Sequence, residues 1–85
     1  MAYHVELSPA AQRDLRKLES AVRNRILAAF VKLEGDPHPA GSKKLQGRRE
    51  LWRIRVGDYR VVYEIQNNVL VVLVVRIAHR RNAYR

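Results

Sequence analysis

An 85-residue chain without cysteine has room for one domain over residues 1–85 and one modest core. Such a core buries about 60–65% of the unfolded surface, with no disulfide framework or cysteine-based zinc site to reinforce it. The formal net charge is +9 and unevenly spread: +1 over residues 1–42, with six Lys/Arg against five Asp/Glu, and +8 over residues 43–85, with eleven against three. A polyanion, nucleic acid or an acidic protein, is therefore the expected partner, and the second half the expected binding half.

Residues 3–7 alternate apolar and polar side chains and predict a first strand. Ser8-Pro9 follows as a helix start, with serine as N-cap and proline at the first helical position. Ala11, Leu15, Leu18 and Val22 then recur at helical spacing, with Arg13, Asp14, Arg16 and Lys17 on the other face, which predicts an amphipathic helix. A break at Glu19-Ser20 is expected, Ser20 capping a second helix with the buried stripe Val22, Ile26, Ala29, Phe30 and Leu33; the two helices form a hairpin. Gly35-Asp36-Pro37 ends the hairpin, and residues 38–42 read as an irregular loop.

From Leu51 the period becomes two, with Trp52, Ile54 and Val56 pointing one way and Arg53 and Arg55 the other. Gly57-Asp58 turns the chain into a strand over residues 59–65, and Asn67-Asn68 turns it into another over residues 69–77. That last strand is apolar almost throughout, as suits a central position in a sheet; a charged tail, residues 78–85, follows. The order β-α-α-β-β-β predicts an α+β fold, with the helical hairpin packed on one face of a small, mainly antiparallel sheet. The other face is left for function. The N-terminus lacks the basic-then-apolar order of a signal peptide, and the apolar run over residues 69–75 is far short of a bilayer span, so a soluble cytoplasmic protein is expected.

Arg53, Arg55 and Arg60 lie on adjacent strands, and His79, Arg80 and Arg81 follow the last. Guanidinium groups converging in a concavity grip phosphates and stabilise the extra charge of a pentacoordinate phosphorane; the same cluster also suits a solvated face that only binds RNA or an acidic partner. His79 is the one side chain of the cluster that titrates near neutrality, a candidate general acid or base, whereas His4 and His38 read as structural or incidental. Tyr84, in the basic tail, has little packing reason to be there and can stack on an unstacked base; Tyr59 and Tyr63 read as half-buried strand residues. Lys43, Lys44, Arg48, Arg49 and Arg81 are candidate RNA- or ribosome-binding cations. Glu50 reads as an ion-pair residue and a minor candidate base, Asp58 as a turn residue, and Glu64 as a cross-strand partner for an arginine. The histidines are scattered and no carboxylates are paired, so no metal site and no cofactor are expected.

Ser8-Pro9-Ala10-Ala11, Gly41-Ser42-Lys43-Lys44-Leu45-Gln46-Gly47, the run from Leu51 through Gly57-Asp58-Tyr59-Arg60 to Tyr63, and His79-Arg80-Arg81-Asn82-Ala83-Tyr84 together resemble the RelE/ParE superfamily of toxins, and its RelE branch in particular. The resemblance spans essentially the whole chain. It implies a type II toxin whose activity is ribosome-dependent cleavage of mRNA in the decoding site, by attack of a ribose 2′-hydroxyl on the adjacent phosphate without a metal. It maps the family's catalytic basic residues onto Arg53 and Arg55, its phosphate-binding arginines onto Arg60 and Arg80, and its tail tyrosine onto Tyr84.

Some members carry lysine where Arg53 and Arg55 stand, one such lysine being the family's general base; arginine, with a pKa above about 12, is a poor one. Either Arg55 acts only electrostatically, or His79, Lys44 or a ribosomal group accepts the proton, or turnover is slow; His79 is favoured. The resemblance also implies an acidic RelB-like antitoxin as partner, which would carry any DNA-binding part, so no direct DNA binding is expected of this chain. The alternatives are a ParE-like inhibitor of DNA gyrase and a non-catalytic RNA- or antitoxin-binding module.

Overall fold

The computed structural model describes residues 2–47 and 50–79. The first strand, β1 (His4–Leu7), leads into α1 (Pro9–Arg16) and α2 (Ser20–Gly35); β2 (Lys43–Lys44), β3 (Leu51–Val56), β4 (Tyr59–Gln66) and β5 (Val71–His79) follow. The five strands form one mixed sheet in the order β1-β5-β4-β3-β2, with β1 parallel to β5 and the other pairings antiparallel. The α+β class and the two-helix layer match the sequence-based expectation, and β5 is interior, between β1 and β4. Unanticipated is β2: residues 43–44 are two exposed lysines with no alternation to announce a strand, yet they pair with Arg53 and Trp52 at the sheet's edge. Exposed lysines suit an edge, because their charge discourages another chain from adding there.

The local chemistry explains the helix ends. Ser8 caps α1 as expected, its Oγ accepting from the Ala11 N–H at 3.1 Å and donating to the Val75 carbonyl at 2.8 Å, so the cap also ties α1 to β5. The helix stops at Arg16, where the Lys17 and Leu18 N–H groups donate to the Asp14 and Leu15 carbonyls in a tighter turn. Leu18 and Val22 therefore do not belong to the first helix. The second helix starts one residue earlier than expected: Glu19 is the N-cap, without a side-chain cap bond, and Ser20 is already helical.

The core lies between the helices and one face of the sheet. Tyr63, Ile26, Leu33, Val61, Val72 and Val74 are its largest fully buried side chains, each worth about 1.5–3 kcal/mol of burial for the aliphatic ones. Tyr63, read from sequence as half-buried, is completely covered; its hydroxyl donates to the Pro37 carbonyl at 2.8 Å, and burial pushes its pKa up to about 12. This bond fixes the loop that leads through Gly41 into β2.

The β3–β4 hairpin sets the register of everything on the opposite face. Gly57, with φ of 59°, takes the left-handed position of the two-residue turn, and Val56 stands opposite Tyr59. Farther along, a bulge at the Val62/Tyr63 register shift leaves Val75 out of the β4–β5 pairing. A parallel partner covers β5 only as far as Val74, so the rest of that side is open, and α1 fills it: Asp14 accepts from the Ile77 N–H at 2.9 Å and from the Arg76 Nε at 2.8 Å.

Candidate active site

The sheet face away from the helix layer carries two rows of cations. Register places Lys43 opposite Arg53, and Arg55 opposite Arg60. Side chains opposite one another share a face and stand about 5 Å apart at Cβ, where like charges are destabilising. Lys43, Arg53, Arg55 and Arg60 line one cavity of about 190 Å³, together with Gly41 and Ile54. The Arg55 guanidinium is oriented by its own turn, donating from Nε to the Gly57 carbonyl at 2.9 Å. The sequence expectation that Arg53, Arg55 and Arg60 converge is met in this geometry.

The two lysines of β2 separate. Lys44 stands opposite Trp52 on the other face, and its Nζ donates to Glu50 at 3.0 Å; the second Glu50 oxygen accepts from the Trp52 indole at 3.1 Å. Hydrogen bonds from Lys44 and then Trp52 hold the Glu50 carboxyl below its ordinary pKa, so it is a poor base. His38 meets Trp52 edge-on at 4.6 Å, as an aromatic neighbour. Glu50 is thus an ion-pair residue as expected, with Lys44 as its partner among the described residues.

His79 lies outside the four-cation cavity. It pairs with Tyr59, while Arg60 pairs with Ala78, and the alternation of a strand sends neighbours to opposite faces. Its ring meets that of Tyr59 edge-on at 5.3 Å, and Tyr59 packs against the core. Glu64, expected opposite an arginine, stands between Leu51 and Leu73 and accepts from the Gln66 amide at 2.8 Å. Arg48, Arg49, Arg80, Arg81 and Tyr84 lie outside the described residues.

A second cleft adjoins the first through Arg60. Leu18, Leu45, Val62, Ile77 and Ala78 make its apolar part, and Asp14, Lys17, Arg76 and His79 its polar rim. Burial pushes the Asp14 carboxyl up, but hydrogen bonds from Arg76 and the Ile77 N–H, with the charges of Arg76 and Lys17, outweigh it and hold the pKa below its usual value. Neither Asp14 nor Arg76 stood out in the sequence reading; the available signal was Arg76 itself, the one charge within an otherwise apolar strand. Among the described residues, no group of three metal-ligating side chains occurs and no helix is long and apolar enough to cross a membrane.

Residues 5–84 match the family described as ParE toxin of type II toxin-antitoxin system, parDE. The chain belongs to the RelE/ParE superfamily of toxins. Within it, similarity runs to RelE toxins. Toxin RelG of Mycobacterium tuberculosis is 39% identical over 100% of this chain and 99% of its own length. The mRNA interferase toxin RelE of Escherichia coli K12 is 28% identical over 98% of this chain and 88% of its own. In the crystal structure of the archaeal RelE-RelB complex from Pyrococcus horikoshii OT3, a chain 31% identical superposes with a TM-score of 0.85, covering 98% of this chain and 100% of that one. This is accordingly a RelE toxin of a type II toxin–antitoxin system, with its helix pair and five-stranded mixed sheet. In this RelE chain both positions read as the family's basic pair are arginine, and the amine of the cavity comes from β2.

Proposed function

We propose that the toxin is a ribosome-dependent mRNA endonuclease, and that the cavity between β2, β3 and β4 is where the scissile phosphate sits. The carrying observation is the pair of like-charge rows, Lys43 opposite Arg53 and Arg55 opposite Arg60, around one concavity. A fold that spends stability on aligned cations recovers it when a polyanion arrives. Guanidinium donors preset around a phosphate favour the phosphorane over the ground state, because the transition state carries more negative charge. The 2′-hydroxyl attacks phosphorus, the bond to the 5′-oxygen breaks, and a 2′,3′-cyclic phosphate and a 5′-hydroxyl result. Arg60 and Arg80 take the developing charge, Arg53 and Arg55 hold the flanking backbone, and Tyr84 stacks on the reacting nucleotide.

Support for the substrate comes from relatives, of which the E. coli toxin is named an mRNA interferase. The solved RelE-RelB complexes support an antitoxin partner, for which an acidic segment covering the cationic face is the complementary chemistry. Site of action in the cytoplasm follows from the substrate.

The test is primer extension on an mRNA translated in a purified cell-free system, with wild type, Arg60→Ala and Arg80→Ala, with and without ribosomes. Ribosome-dependent cuts that vanish in both variants are the expected result. An uncut message defeats the reading, and a supercoiling assay then examines inhibition of DNA gyrase, the alternative left open by the ParE description of the family.

A further inference from the structure

We infer that Lys43 is the proton acceptor of this site, an inference that rests on the endonuclease reading above. Attack on phosphorus needs a group that can take the proton of the 2′-hydroxyl. Of the four cationic side chains lining the cavity, Arg53, Arg55 and Arg60 are guanidinium groups, which stay charged at any working pH and have no lone pair to offer. Lys43 supplies the one amine, and an amine accepts a proton whenever it is neutral.

Geometry sets the rival groups aside. Lys44, one residue on, points to the other face and is hydrogen-bonded to Glu50. Glu50 receives both Lys44 and the Trp52 indole. His79 pairs with Tyr59 and rims the adjoining cleft, outside the cavity that Lys43 lines. Arg53 stands opposite Lys43, Arg55 from β3 and Arg60 from β4 line the same cavity, and Lys44 on its own strand is turned away. No carboxylate among the described residues is hydrogen-bonded to its amine.

The step balances without a co-reactant. The neutral Lys43 amine takes the 2′-hydroxyl proton as the 2′-oxygen bonds to phosphorus; the 5′-oxygen leaves and takes a proton from water. The Lys43 ammonium then returns its proton to water, while Arg60 takes the developing phosphorane charge and Arg53 and Arg55 hold the flanking backbone. The arginines at both positions read as the family's basic pair and the lysine across from Arg53 are then one arrangement, in which the amine has moved one strand outward.

The test exploits the absence of any cysteine from the chain. Single-turnover cleavage of ribosome-bound mRNA is followed across pH with wild type, Lys43→Arg, and Lys43→Cys before and after alkylation of the purified toxin with 2-bromoethylamine. Lys43→Arg keeps the charge and co-sediments with ribosomes, but its cleavage falls by roughly 10²–10⁴-fold, the usual worth of a positioned base. Lys43→Cys is equally slow; alkylation rebuilds an amine at the same reach, made less basic by the neighbouring sulfur, and restores cleavage with the acid limb of the pH–rate profile displaced to lower pH. A Lys43→Arg toxin that cuts at the wild-type rate overturns the inference, since charge alone would then suffice. So does an acid limb that stays put after alkylation, or one that disappears in His79→Ala instead. In those cases the wild type still cuts and the endonuclease reading stands; a wild type that leaves mRNA whole removes both.

Discussion

Two regions of this toxin treat charge in opposite ways. At the open side of β5, Asp14 receives the Arg76 guanidinium and the Ile77 N–H, opposite against opposite. On the β2–β3–β4 face, Lys43 is held against Arg53 and Arg55 against Arg60, like against like. The first arrangement closes an edge that the short β1 leaves uncovered. The second sets like charges side by side, at a cost in stability, and the proposed function gives that alignment a use as a potential well for phosphate. Charge pairing marks a joint of the fold; charge alignment is the feature on which the proposed site rests.

The largest effect that would sharpen this contrast is on chemistry. Replacing Arg60 with Ala removes a donor from the cavity, and cleavage should fall by about 10²–10³-fold. A lowered thermal midpoint with intact cleavage would mean that the aligned cations serve the fold after all.

The mirror experiment is Asp14→Ala. The carboxyl is 15% exposed but Arg76 is 57% exposed, so the screened ion pair contributes little and the bond to Ile77 most of the effect. Urea unfolding should show a loss of about 1–2 kcal/mol, and cleavage well below the midpoint should stay near wild type. The same carboxyl predicts a pH dependence. Its folded pKa lies below the ordinary value of 3.8, so its contribution is complete above that value and is lost as pH falls through the lowered folded pKa. Asp14→Asn should flatten that acid limb of the stability curve; an unchanged limb would place the acid sensitivity elsewhere.

The smallest effect is the most discriminating. Arg55→Glu turns a repulsive cross-strand pair with Arg60 into an attractive one, and stability should rise by about 0.2–1 kcal/mol, less what the lost bond to the Gly57 carbonyl contributed. The same variant should be inactive, and a toxin made more stable by losing its function would separate the two uses of charge within one residue.

Much of this was legible in the chain. Serine and proline at positions 8 and 9 announced the first helix, the period-two run from Leu51 and the Gly57-Asp58 turn announced a hairpin, and that hairpin alone determines that Arg53, Arg55 and Arg60 share a face. These are local facts, because strand alternation and turn length are set by nearest neighbours. What tertiary structure decided is long-range. The pairing of Lys43 with Arg53 needs β2 to dock on an edge, although its two lysines carry no strand signal, and it is the Tyr63 bond to Pro37 that ties down the approach to it. The placement of His79 opposite Tyr59 depends on the β4–β5 register after a bulge that no periodicity in residues 71–79 discloses. Asp14 reaches Arg76 across 62 residues only because β1 ends before β5 does. Sequence alone determined which side chains are cationic and which strands carry them; only the folded sheet decided which of them face one another, because register between distant strands is set by what the whole core buries.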